Sequence, residues 1–180
     1  MALSKIIAES MDLTDTYAFT GTVTGAGESN SPIFYGELSS SKTLTRATTT
    51  KIDSMTNNEV DSDTAFDGTT FTVPSGKAGT YYVEGVVTGD SVTAGQDGEE
   101  IRALIYKNGS EIKNARIYKN TAGGSSAGDV RTMSVVINVI LALSVGDTVE
   151  LYGRMQDQNG SGNMDARSGE TSFGGYRIKS

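Results

Sequence analysis

The chain has 180 residues, 22 acidic against 15 basic, a net charge of −7, and no histidine, cysteine or tryptophan. It is long enough for one domain with its own core plus an appendage. Acidity with scattered Lys and Arg argues against nucleic acid as a partner; without His or Cys, Ser-His and Cys-His nucleophile systems and disulfides are excluded.

The 22 glycines, two prolines and short alternating runs of Thr, Val, Ile and Tyr predict an all-β sandwich or barrel with many turns. No window carries a sustained helical period, and no apolar run is long enough to span a bilayer. At the N-terminus, Lys5 and the short patch Ile6-Ile7-Ala8 are interrupted by Glu9, which makes a poor signal peptide.

Residues 1–41 hold one basic residue, Lys5, against Glu9, Asp12, Asp15, Glu28 and Glu37. Their apolar patches are short and end at Gly25-Ala26-Gly27, too little to bury a core. The segment reads as an extended docking arm, anchored by Ile6, Ile7, Leu13, Tyr17 and Phe19. The body then begins at residue 42. Residues 44–52 are Thr-rich and extended, and 53–63 read as a polar loop. Asp67-Gly68 turns the chain into a strand over 69–73, which Pro74 ends. Strands are expected at 81–88, 101–106 and 111–118, the last two joined by a hairpin at Asn108-Gly109. Polar loops are expected at 89–98 and 121–128.

The stretch 132–152 is the most strongly patterned. Val135, Ile137, Val139, Leu141, Leu143 and Val145 alternate onto one apolar face. The other face, Val136, Asn138, Ile140, Ala142 and Ser144, is too uncharged for open solvent. A sandwich core on one side and another subunit on the other fits both. Gly146-Asp147 turns into a second alternating run, residues 157–169 form a polar loop, and a last strand spans 172–178, for about eight or nine strands.

Sites for chemistry are sparse. Glu99 and Glu100 are neighbours that point to opposite faces of a strand, a poor acid/base pair that reads as a solvated loop edge. Asp157, Asn159 and Asp165 offer hard oxygen ligands on a loop and form a weak calcium candidate, although no Glu closes the loop. Gly123-Gly124 and Gly174-Gly175 lack the following Lys-Ser or Lys-Thr of a phosphate loop, and Gly174-Gly175 reads as a close approach or bulge. Tyr81, Tyr82, Tyr106 and Tyr118 read as packing residues before stacking platforms for sugars.

Four pieces in sequence order carry a resemblance: FTVPSGKAGTYYVEGVV after Asp67-Gly68, IRALIYKNGSEI, LALSVGDTVELYG and SFGGYRI. Together, residues 42–179 resemble the jelly-roll superfamily of tumour necrosis factor and the complement globular heads. The resemblance implies a ten-stranded antiparallel jelly-roll β-sandwich that forms a homotrimer about a three-fold axis. It places Val136 and Ile140 between subunits, joined by Tyr152 and Tyr176. No collagen stalk and no cysteine accompany it. The opening, MALSKI to DLTDTYAFTGTVTGAG, is similar to small virion proteins of marine bacteriophages.

The expected function is therefore a non-enzymatic virion structural protein, made in the host cytoplasm and placed on the virion surface. It would be a trimeric fibre, spike or capsid decoration contacting capsid, tail or fibre proteins, with loops 89–98, 121–128 and 157–169 free to meet a host glycan or protein. The alternatives are a bacterial carbohydrate-binding or adhesin module, and a jelly-roll enzyme.

Overall fold

The alternating runs fold into twelve strands among the described residues of a computed structural model, which are 30–91, 98–119, 131–157 and 162–179. The strands are β1 (Ile33–Leu38), β2 (Lys42–Thr45), β3 (Thr50–Lys51), β4 (Met55–Asp61), β5 (Thr70–Thr72), β6 (Gly79–Ser91), β7 (Gly98–Lys107), β8 (Ser110–Tyr118), β9 (Thr132–Leu143), β10 (Thr148–Asp157), β11 (Asn163–Ala166) and β12 (Ser172–Lys179). They form two sheets whose strands pair antiparallel. The first runs β2-β11-β6-β12-β1-β4, with β9 on the opposite edge of β6, and the second runs β3-β10-β7-β8, with β5 also on β10.

Period-two alternation decides which residues fill the space between the sheets. Val135, Ile137 and Leu143 of β9 are buried, with Val139 and Leu141 packed beside them, as the sequence predicts. Val145 departs from the pattern: it sits in the β9–β10 turn and is exposed. Facing this layer are Ile101, Ala103 and Ile105 of β7 and Val149, Leu151 and Met155 of β10. At one end the core is aromatic. Phe34 stacks on Phe71 at 4.3 Å and meets Phe66 and Phe173 at 5.2 Å each. Tyr81 closes the group, donating its buried hydroxyl to the Lys77 carbonyl; burial pushes that phenol up to about 12.

Three strands lie where the sequence suggests none. β1 falls inside the 1–41 segment that reads as an arm, yet it sits between β12 and β4 with Phe34 and Leu38 in the core. β4 occupies the expected loop 53–63, held by β1 and by Asp61, whose carboxylate accepts from the Ala65 and Phe66 amides. β11 occupies part of the expected loop 157–169, bridging β2 and β6 with Met164 and Ala166 buried.

The Asn108-Gly109 hairpin forms as expected, with both residues at positive φ, 50° and 75°, as a two-residue turn matched to strand twist requires. Its ladder carries one bulge: Tyr106 opposes Glu111 while Ile105 opposes Lys113, leaving Ile112 as the extra residue. Gly174-Gly175 marks a close approach. A Cβ on Gly175 would sit 2.6 Å from the Tyr82 carbonyl oxygen and 3.1 Å from Phe34 Cε1.

Candidate functional site

Residues that alternate away from the core line two outward faces, and these differ in chemistry. On the first sheet, strand register aligns Ile33, Tyr176, Tyr82 and Ile140 in one row across β1, β12, β6 and β9. Tyr82 and Tyr176 pack at 5.5 Å between ring centroids. Two rows further on, Val136 extends the apolar surface; Val136 is 60 % and Ile140 64 % exposed. Single exposed apolar residues are ordinary, but a row of four joined across adjacent strands is the kind of patch that marks an interaction surface.

The middle of this face is concave. Gly174 leaves a hollow of about 140 Å³ lined by Tyr35, Tyr82, Tyr176, Val60 and Glu84. A second hollow of about 410 Å³ adjoins it at Asn30, Ser31, Ile33, Ser62 and Tyr176. The tyrosine hydroxyls are tethered along their own strands. Tyr35 donates to Glu37 at 2.9 Å and Tyr82 donates to Glu84 at 3.0 Å. Burial, then the Glu37 carboxylate, holds the Tyr35 phenol above its usual value against an opposing Ser172 hydrogen bond, and the Glu84 bond raises Tyr82. Both stay neutral donors at physiological pH.

Of the residues expected between subunits, Val136, Ile140 and Tyr176 share this face. Tyr152 does not. It lies on the outward face of the second sheet, 4.1 Å from Tyr106 between ring centroids. Alternation fixes which side of its own strand a residue takes, but not which sheet that strand joins. Tyr82 and Ile33 belong to the face instead, and register with Ile140 and Tyr176 is the signal that finds them. Tyr81 is core, and Tyr118 is exposed with its hydroxyl on Glu99.

Glu100 corrects the reading of a solvated edge. It is 2 % exposed on β7 and is held by Arg102 and by Arg116, at 3.1 and 3.3 Å. The arm residues Ile6, Ile7, Leu13, Tyr17 and Phe19 lie outside the described residues, as do Asn159 and the Asp157 side chain of the calcium candidate. Asp165 is on β11 and accepts a 2.7 Å hydrogen bond from Thr43. No group of three acidic, His or Cys side chains close enough for a metal occurs among the described residues.

The strand ends flanking the three expected surface loops meet at one end of the sandwich. The Ser91 amide donates to the Arg131 carbonyl at 2.7 Å, Asp157 is paired with Gly98, and the Lys119 amide donates to Glu99 at 2.8 Å.

No family model matches the sequence, and no curated protein matches it. Solved structures do. The globular domain of zebrafish complement 1qA aligns with a TM-score of 0.53 at 12 % identity, over 82 % of this chain and 98 % of that one. The tumour necrosis factor Eiger of S. frugiperda aligns with a TM-score of 0.55 at 10 % identity, over 82 % and 94 %. The chain thus has the jelly-roll fold of the tumour necrosis factor and complement globular heads.

Proposed function

We propose that the protein is a non-enzymatic surface module of a bacteriophage particle, a homotrimer docked through the outward face of its first sheet. The observation that carries the assembly is the exposed row Ile33-Tyr176-Tyr82-Ile140, with the hollow beside it. Fully burying an Ile or Tyr side chain of this kind is worth roughly 1.5–3 kcal/mol. Three copies related by a closed rotation use the patch in a ring without leaving a free end. Tyr35 and Tyr82 add neutral hydroxyls held by Glu37 and Glu84, a polar element within an apolar contact.

The absence of histidine and the ion-paired burial of Glu100 support a role without catalysis. The virion setting rests on the similarity of the opening residues to small phage virion proteins. In this reading the arm ahead of β1 anchors the trimer to capsid, tail or fibre proteins, and the expected loops 89–98, 121–128 and 157–169 serve contact with the host. The convergence of their flanking strand ends supports a single contact tip.

Two measurements test the proposal. Light scattering after gel filtration at micromolar concentration should give three times the chain mass; a monomer overturns the trimer. Gold-labelled antibody against the sandwich should decorate purified particles, on the tail for a host-contact role or over the head for a decoration role. Particles carrying no label would remove the virion setting.

A further inference from the structure

The outward face of the second sheet carries a feature that the docking reading does not use. Register places Arg154 of β10 opposite Arg102 of β7, and Arg102 opposite Arg116 of β8. All three side chains point outward, because their neighbours Gly153, Met155, Ile101 and Ala103 point into the core. With strands about 4.8 Å apart, three guanidinium-bearing residues line up over roughly 10 Å. Like charges directly opposite one another destabilise a sheet, so the row requires a counter-charge.

The described residues supply part of it. Glu100 lies one row away and takes both Arg102 and Arg116. The next carboxylate on this face, Glu150, is 2.6 Å from the Lys51 amine and is matched by it. Among the described residues Arg154 has no such partner, and its buried Nε donates to no acceptor. Among the described residues Glu100 bonds to the row and Glu111 acts on Arg102 from farther along the face, so three guanidinium groups outnumber the carboxylates around them in a chain with a net charge of −7. Adjacent to the row along β10 lies Tyr152, packed on Tyr106, an aromatic surface suited to the apolar face of a sugar ring. The row also lies near the end where the strand ends flanking the expected surface loops meet, through Gly98 and Asp157.

We propose that the Arg154-Arg102-Arg116 row binds the oxyanion groups of an acidic polysaccharide, sulfate or carboxylate, with Tyr152 against a neighbouring sugar. Guanidinium groups suit this because each presents paired donors to planar or tetrahedral oxyanions. A polysaccharide is favoured over duplex nucleic acid because the net negative charge repels a polyanion carrying one charge per about 1.7 Å. The site is on the opposite sheet from the docking face, so it stands whether or not the trimer does.

The test is binding of the full chain to fluorescent dextran sulfate and polygalacturonate, with uncharged dextran and a short duplex DNA alongside. At least one acidic polysaccharide should bind, more weakly as salt rises, while uncharged dextran should not. Arg154→Gln, which breaks no ion pair among the described residues, should weaken binding about tenfold, and Arg116→Gln, at an exposed position, should weaken it further in combination. Arg167→Gln, at a turn on the other sheet, should leave it unchanged. Thermal unfolding checks that each variant is folded, and Arg116→Gln alone carries the test if Arg154→Gln is not. No binding to either acidic polysaccharide, equal binding by the Arg154 and Arg116 variants, or tighter binding to the duplex overturns the proposal.

Discussion

Tyr176 packs against Tyr82 across two neighbouring strands, and the pair sits in register between Ile33 and Ile140. The row carries no charge and is aliphatic or aromatic at every position, so a charge placed at Ile140 meets either water, in a free subunit, or a largely apolar partner, in an assembly.

Ile140→Asp should therefore act on assembly and spare the fold. Its Cβ faces outward on an edge strand, so the free subunit solvates the carboxylate, whereas burial against a neighbour costs several kcal/mol. Analytical ultracentrifugation should show monomers with an unchanged far-ultraviolet spectrum. Trimers persisting in the variant would mean that this face is not the contact.

Gly175→Ala should act on the fold. Its Cβ would press on the Tyr82 carbonyl oxygen, which belongs to the ladder and cannot turn aside. Overpacking of this kind costs about 1–3 kcal/mol, a drop in Tm of roughly 5 °C for a chain of this size. Calorimetry showing no drop would mean that β6 and β12 slide apart freely.

Arg102→Met should destabilise by about 3 kcal/mol, because it leaves the buried Glu100 with only the more exposed Arg116. Glu100→Leu added to it should recover most of the loss, since no buried charge then remains. Urea unfolding of the single and double variants measures both; a double variant weaker than the single one contradicts the account.

Acid should weaken the β9–β10 turn. The Lys107 amine, then Asn108 and the Ser144 amide, bring the Asp147 carboxyl down to about 2. Its proton affinity is lower folded than unfolded, so its contribution is complete above about pH 4 and fades as the pH falls to 2. Asp147→Asn should cost about 1 kcal/mol at pH 7 and progressively less toward pH 2. Parallel stability curves for parent and variant across that range would show that the carboxylate does not matter.

Much of the sandwich is legible in the sequence because alternation and turn chemistry are local. The β9 face, the Asn108-Gly109 hairpin, the turn at Gly146 and the last strand follow from residues a few positions apart. What was hidden depends on partners distant in sequence. β4 reads as a loop because MTNNEVD is polar, and it becomes a strand because β1 offers it a ladder. β1 itself was obscured by the acidity around it, although Phe34 and Leu38 already alternate. Tyr152 and Tyr176 share an aromatic character and an outward parity, yet they belong to different sheets. The arginine row is likewise invisible until β7, β8 and β10 are set side by side.

The bulge in the β7–β8 hairpin bears on how this part of the chain can change length. With Ile112 unpaired, the ladder holds one residue of slack between the turn and Arg116. Losing a single residue there can be absorbed by closing the ladder, which leaves Arg116 opposite Arg102. Gaining one has no such reserve and would rotate every later side chain of β8 to the other face. Drift in this hairpin should thus run toward shortening, with the outward charges kept in place.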